Sequence, residues 1–449
     1  MAYPHDTEMI QAVQLHTGVC VRPTGIGKDY LLKLIATHYD FVKSDDEIAA
    51  EEREERVPQR LSYSRADSTI SIVNDIIHEA IRLRASDIHM EPFEREMCVR
   101  FRVDGILQEM MNIPAEKIPE TTSRIKVMSH MDIAEKRRSQ DGRISINEQG
   151  REVDIRVSSL PTDFGEKIVL RLLDKSSFDF NLENIGMEPG KLMLFKKAIQ
   201  MPNGIVLITG PTGSGKTTTL YGVINYLRKP GINISTIEDP IEYNITGVSQ
   251  TQVNPGINLT FANLLRTMLR QDPNIIMVGE MRDQETAEIA IRSSLTGHLV
   301  LSTLHTNDAP SAITRLIDMG IEPYLVASSV TMIVAQRLVR KICTRCKCED
   351  NTKVDIKKSI GLSPDIPVYK GLGCSACGHT GYRGRTGIFE VMPISEEIRR
   401  QINNRAYASD IRSQAVKEGL ITLRDSALSK LTDGITSLEE VVREISVIS

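Results

Sequence analysis

The 449-residue sequence has no tryptophan, and Phe and Tyr bring the aromatic share to only 4%. A platform for stacking nucleic-acid bases is therefore missing. No run of 18 apolar residues occurs, so no segment reads as a membrane span. The first residues, with His5, Asp6 and Glu8, lack the apolar core of a secretory signal. Neither sign of charge dominates. The net is −4, which speaks against broad binding to nucleic-acid phosphates. The seven cysteines are an odd number, and four of them fall in C-x-x-C pairs. That pattern points to metal in a reducing cytosol rather than to a disulfide framework. What remains is 41% hydrophobic and 25% charged, enough for real cores, and the length suggests about three domains.

Two stretches share Pro-Thr-Gly-x-Gly-Lys: VRPTGIGKDY (residues 21–30) and VLITGPTGSGKTTT (residues 206–219). A phosphate-binding loop needs G-x-x-x-x-G-K-[ST]: glycines for the turn and for close backbone approach, Lys for the β/γ oxygens, and a hydroxyl for Mg²⁺. The later stretch meets every demand. It follows the apolar run 205–208 and precedes a helical pattern, so phosphate would sit on a helix N-terminus. The expected nucleotide-binding residues are Gly210, Pro211, Thr212, Gly213, Ser214, Gly215, Lys216, Thr217 and Thr218. The early stretch fails twice. Arg22 replaces the first Gly, and Asp29 stands where Mg²⁺ needs a hydroxyl. It is read as a turn without catalytic meaning, so Lys28 binds no phosphate.

Residues 1–61 hold a short helical pattern and the charged stretch SDDEIAAEEREERVPQR (44–60), read as a solvated helix or linker. Residues 62–180 read as a small α+β domain, with an amphipathic helix around Ile72, Ile76 and Ile77. Alternating strands follow, turning at Asp104-Gly105 and Gln149-Gly150. Apolar strands alternate with helices over 181–340, which predicts a mostly parallel sheet covered on both faces. A cysteine segment (341–380) and a helical region (381–449) follow. The fold class is therefore α/β, with a smaller α+β domain in front.

Behind the phosphate loop come three clusters at strand ends, where open α/β sheets bind ligands. IEDPIEY carries Glu238, Asp239 and Glu242. IIMVGEMRD places Glu280 after four apolar residues, suited to holding Mg²⁺ or orienting the attacking water. LTGHLVLSTLHTND brings His298 and His305, and His305 is placed to sense a γ-phosphate or relay a proton. FANLLRTMLRQDPN sets Arg266 and Arg270 four apart on one helix face, for a surface ion pair or for a neighbouring subunit's phosphate. Cys343, Cys346, Cys374 and Cys377 form two C-x-x-C pairs. Four thiolates close a structural tetrahedral zinc site. Cys20, Cys98 and Cys348 are read as non-ligands.

RASDIHMEP, IAEKRRSQDGRI, GPTGSGKTTTLYG, IEDPIEY, LRQDPNIIMVGEMRDQETAEIA, TGHLVLSTLHTNDA and GHTGYRGRTGIFEV together resemble the assembly ATPases of type II secretion, type IV pili and DNA-uptake pseudopili, over about residues 65–449. The resemblance implies a RecA-like motor domain behind a PAS-like N-terminal domain. It implies a homo-hexamer on the cytoplasmic face of the inner membrane, held there by membrane platform proteins; the motifs themselves call for ATP, Mg²⁺ and Zn²⁺, and the acidic balance and scarcity of aromatics call for no nucleic acid. In such ATPases IEDPIEY is the Asp box, IIMVGE the Walker B segment and TGHLVLSTLH the His box, making Glu238, Glu280 and His305 candidate catalytic residues. Arg143 and Arg156 match N-terminal-domain arginines that reach the nucleotide, joined by Arg266 and Arg270. The cysteine segment favours assembly over retraction motors. Only about 60 residues precede the shared region, fewer than the usual docking module, which leaves the mode of docking open. Two other classes compete: a nucleic-acid translocase, which DNA-stimulated turnover would support, and a non-hydrolysing scaffold, which a phosphate-release assay would reveal.

Overall fold

The computed structural model describes residues 61–62, 68–148, 151–174, 180–350, 357 and 360–448. The imitation loop around Lys28, the short helix near residues 29–39, the charged stretch 44–60 and the turn at Gln149-Gly150 lie outside them.

The first sheet has seven strands: β1 (Leu61–Ser62), β2 (Asp87–Pro92), β3 (Glu96–Val103), β4 (Ile106–Pro114), β5 (Gln140–Glu148), β6 (Arg151–Thr162) and β7 (Gly165–Asp174). Their order is β1-β4-β3-β2-β7-β6-β5, antiparallel throughout except for β1 beside β4. The β3–β4 turn is the expected Asp104-Gly105, with φ of +49° and +91°, the left-handed pair that a two-residue hairpin requires. Helix α1 (Thr69–Arg82) carries Ile72, Val73, Ile76, Ile77 and Ala80 on one face. That stripe packs against the alternate residues Ile88, Met90, Val99 and Phe101 of β2 and β3, as periods of 3.6 and 2 dictate. Helix α2 (Ile118–Met128) closes the same core.

The second sheet runs β10-β9-β11-β12-β8-β13-β16. Its strands are β8 (Gly204–Thr209), β9 (Ile234–Glu238), β10 (Ser249–Gln252), β11 (Ile275–Val278), β12 (Leu299–Leu304), β13 (Val330–Ile342) and β16 (Tyr382–Pro393). Every pair is parallel except β13 with β16. The central strands β8, β9, β11 and β12 are buried at every position, which suits the apolar runs of β8 and β11, while β9 and β12 also bury Ser235, Thr236, Ser302 and Thr303. Val206 and Ile208 face helices α3 (Pro189–Ile199) and α4 (Lys216–Leu227), while Ile205 and Leu207 belong to the opposite core. That opposite core takes in α5 (Phe261–Met268), α6 (Gln284–Leu295), α7 (Ala309–Asp318) and α8 (Pro323–Ser329). Ile398 and Ile402 of α9 (Glu396–Asn403), Ile411 of α10 (Ala408–Lys417), Leu423 and Leu431 of α11 (Leu423–Thr432) and Val441 of α12 (Leu438–Ile448) join it too. The C-terminal helices therefore share a core with the parallel sheet.

The sheet continues past residue 340. β13 ends at Ile342 and its partner β16 begins at Tyr382, with Met332 opposite Pro393 and Ile342 opposite Tyr382. The cysteine segment is thus the connection of an antiparallel hairpin at the sheet edge. Within it, β14 (Lys347–Glu349) pairs with β15 (Tyr369–Gly371), and the Cys343 N–H donates to Gly381 O at 2.9 Å.

Candidate active site

β8 feeds directly into the phosphate loop. Gly210, Gly213 and Gly215 hold φ of +149°, +79° and +87°. A Cβ at Gly210 would lie 2.4 Å from Gln336 O, and one at Gly215 would lie 2.8 Å from Gln336 Nε2. Both positions therefore need glycine for conformation and for the close approach of β13. Gly215 is the N-cap of α4, so the amides of the first helical turn face the loop. Lys216 Nζ donates to Gly210 O (2.8 Å) and Pro211 O (3.0 Å). Burial lowers its pKa, opposed by the Glu280 charge. Ser214 Oγ is buried without a partner. An ammonium, an orphaned hydroxyl and a helix N-terminus in one loop fit a phosphate chain.

The three clusters stand where strand ends were expected to put them. Glu238 is the last residue of β9, Glu280 lies two past β11, and His305 follows β12. A cleft of about 250 Å³ brings together Lys216, Thr217, Glu238, Asp239, Glu280 and His305. Glu280 Oε1 accepts from Arg282 at 2.5 Å, and its Oε2 lies 3.5 Å from His305 Nε2. Burial first, then the Lys216 charge, lowers the His305 pKa, with Glu280 opposing. The His305 turn is fixed to the phosphate-loop strand, since the Thr306 N–H donates to Thr209 Oγ1 at 2.9 Å. Thr303 Oγ1 donates to Gly279 O at 2.7 Å, which ties β12 to the segment carrying Glu280. His298 is set apart: its Nδ1 lies 2.9 Å from Ser293 O at the end of α6.

Glu238 is 3% exposed and takes hydrogen bonds from Tyr221 Oη, Thr236 Oγ1 (2.6 Å) and Gln250 Nε2 (2.9 Å). Arg156 of β6 reaches the Asp box, donating to Ile241 O at 2.8 Å and pairing with Glu242 Oε2 at 3.1 Å. Arg143 is exposed and stands opposite Arg156 in the β5–β6 register. Arg266 on α5 pairs with Glu285 at 2.5 Å. Arg270 lies two residues past the end of α5, and its guanidinium folds back on Arg266 O at 3.0 Å. These two arginines do not line the cleft. The Arg266–Glu285 pair is exposed on both sides, and such pairs contribute only about 0.2–1 kcal/mol, too little to keep Arg266 from a phosphate.

Several residues at the cleft carry no signal in the sequence. Arg282 touches Glu280. Tyr221 reads as an ordinary core position of α4 and is 1% exposed. Arg171, Phe180, Thr217, Thr218, Tyr221 and Tyr243 line a second cleft of about 180 Å³, which shares Thr217 and Glu242 with the first. Phe180, Tyr221 and Tyr243 pack ring against ring at 5.7–6.2 Å. Only three-dimensional contact assembles them.

The four expected cysteines come together, with all sulfurs within 4.8 Å of one another. Sγ–Sγ distances are 3.9 Å for Cys343–Cys374 and Cys346–Cys377 and 3.8 Å for Cys374–Cys377. Tetrahedral Zn–S bonds of about 2.3 Å require sulfurs roughly 3.8 Å apart, so the donor set fits zinc. The N–H groups of Gly373, Cys374 and Gly381 donate to Cys346 or Cys377 sulfur at 3.2–3.3 Å, orienting thiolates in the manner of outer ligands. Cys348 lies in β14, outside the cluster.

Comparison with known proteins decides the family. The model of the family described as Type II/IV secretion system protein matches residues 64–443. The chain belongs to this family. The Type IV pilus assembly ATPase PilB of Myxococcus xanthus is 47% identical over 404 residues, spanning 89% of this chain and 71% of that one. The Type II secretion system protein E of Pseudomonas aeruginosa is 50% identical over 376 residues, 83% of this chain and 75% of the relative. Among solved structures, the Legionella pneumophila ATPase DotB superposes with a TM-score of 0.63 at 21% identity, covering 86% of this chain and 98% of that one. That likeness shows the shared RecA-like fold. The pilus retraction motor PilT, solved with bound ADP, gives 0.54 at 25% identity, covering 82% of this chain and 96% of its own. Among the described residues no helix is long and apolar enough to cross a membrane.

Proposed function

We propose that this secretion-family chain hydrolyses Mg-ATP at one site, as the cytoplasmic motor that drives assembly of a pilus or pseudopilus. The observation that carries this reading is the convergence of Lys216, Thr217, Glu280 and His305 on one cleft. In it the loop amides and Lys216 neutralise the phosphate chain, and Thr217 offers the hydroxyl for Mg²⁺. Held by that hydroxyl, Mg²⁺ would supply further positive charge to the phosphate chain. Glu280 orients the attacking water, and His305 and Arg282 hold that carboxylate in place. The smaller cleft, with its three aromatic rings and Arg171, suits the nucleoside.

The chain works as a homo-hexamer on the inner face of the cytoplasmic membrane, joined to platform proteins and not to nucleic acid. Arg143 and Arg156, with Arg266 and Arg270, stabilise nucleotide charge across domain and subunit contacts. Cys343, Cys346, Cys374 and Cys377 hold one structural Zn²⁺, which shapes the hairpin connection into a surface for the membrane partner. Residues 62–180, 181–340 and 341–380 serve as N-terminal domain, motor and zinc segment, and residues 381–449 add the edge strand β16 and the helices that close the motor core. Phosphate release from the purified chain tests the reading. It should depend on Mg²⁺ and be arrested by chelation, and it should not respond to DNA. Stimulation by DNA would favour a translocase instead.

A further inference from the structure

The Tyr221 hydroxyl uses every hydrogen-bonding position it has. It donates to Glu238 Oε2 and accepts the N–H of Glu242 (3.3 Å) and of Tyr243 (3.4 Å). One donor and two acceptor positions are all that a phenol offers. Tyr221 sits on α4, the helix that starts at the phosphate loop. Its partners sit at the end of β9 and in the turn that follows. One buried hydroxyl thus joins the helix on which the phosphates rest to the acid and turn that face them. Burial, then the hydrogen bond and charge of Glu238, push the phenol above its usual range, so it stays a donor. The same turn carries the Glu242 side chain that pairs with Arg156 from the first sheet.

We infer that Tyr221 is a positioning residue of the nucleotide cleft: its hydroxyl sets Glu238 and the backbone of Glu242 and Tyr243 in the arrangement that turnover requires. The Tyr221 ring packs against Phe180 and Tyr243, so replacing tyrosine by phenylalanine keeps that packing and removes the tie alone. A residue needed only for folding would change stability and leave the rate of the folded enzyme untouched. A positioning residue changes kcat with little effect on nucleotide affinity.

The inference rests on the reading of the cleft as the ATP site, and the test separates the two. Full-length Tyr221→Phe, Glu238→Gln and the double variant are compared with wild type for thermal melting, for Kd of Mg-ATP by calorimetry and for kcat by phosphate release. The expected result for Tyr221→Phe is Kd within about 3-fold of wild type and kcat lowered by about 10-fold or more. The double variant should be no slower than the slower single variant, since both changes break one unit. Unchanged kcat in Tyr221→Phe, a parallel loss of affinity, or additive losses in the double variant would each overturn the inference. If Tyr221→Phe does not fold, Gln250→Met removes the other side-chain tie that joins Glu238 to the same turn, through Tyr243 O and the Ile245 N–H, and decides the matter. A slow enzyme with intact affinity supports the role of these donors, and a rate equal to wild type overturns it. Lys216→Ala run alongside shows whether the cleft itself is the ATP site: turnover surviving there sinks that reading, whatever Tyr221→Phe does.

Discussion

His305 Nε2 lies 3.5 Å from Glu280 Oε2, across the ends of the adjacent parallel strands β12 and β11. The burial that lowers the His305 pKa favours a neutral imidazole beside the carboxylate, whose other oxygen already pairs with Arg282 at 2.5 Å.

That geometry fixes a pH dependence. The folded His305 pKa lies below its ordinary value near 6.5, so the fold binds fewer protons there than the unfolded chain does. The stability this contributes is present above the ordinary value and is lost as pH falls through it toward the lowered one. Turnover at saturating ATP should therefore decline on the acid side as His305 protonates. His305→Asn should lower kcat at neutral pH by about 10²-fold or more and flatten that acid limb. A pH–rate profile of the two proteins measures both effects, and an acid limb retained in His305→Asn would assign it to another group.

Metal content checks the cysteine cluster. One zinc per chain is expected in chelator-free, reduced protein. Cys374→Ser should lose it and loosen the hairpin connection, because binding energy in a closed thiolate site is folding energy. Nucleotide affinity should stay intact, since the parallel sheet carries the cleft. Cys348→Ser should keep the metal. Elemental analysis showing no zinc in wild type would remove the zinc assignment.

The arginines predict dependence on assembly. Arg266 and Arg270 do not line their own chain's cleft, and Arg143 is exposed. If they serve a neighbour, specific activity should rise with protein concentration as oligomers form. Arg266→Ala should abolish that rise while leaving ATP affinity within about 3-fold. Activity flat across the monomer-to-oligomer range, followed by light scattering, would count against subunit sharing.

The phosphate loop, the three strand-end clusters and the cysteine set were legible because each joins a local spacing to a chemical need. The strand ends were visible in the apolar residues before Glu280 and His305, since a strand buried on both faces is mostly apolar and its few polar side chains, such as Ser302 and Thr303, are hydrogen-bonded. What stayed hidden depends on long-range contact. β16 follows the cysteine segment by chain order but closes the sheet begun by β8, and no local pattern says that Ile342 pairs with Tyr382. Tyr221 reads as packing because an aromatic on a helix is usually that, and its three hydroxyl partners come from elsewhere in the chain. The spacing of Arg266 and Arg270 suggested one helix face, yet the helix ends at Met268 and Arg270 turns back from beyond it.

The most direct test of the account compares ATP binding and phosphate release in Lys216→Ala, Glu280→Gln and Lys28→Ala. Glu280→Gln should bind ATP with near wild-type affinity and lose turnover by about 10²-fold or more. Lys216→Ala should lose turnover with its phosphate contact, and Lys28→Ala should match wild type in both assays. Undiminished phosphate release in Glu280→Gln, or loss of ATP binding in Lys28→Ala, would contradict a single hydrolytic site at the second of the two lysine loops.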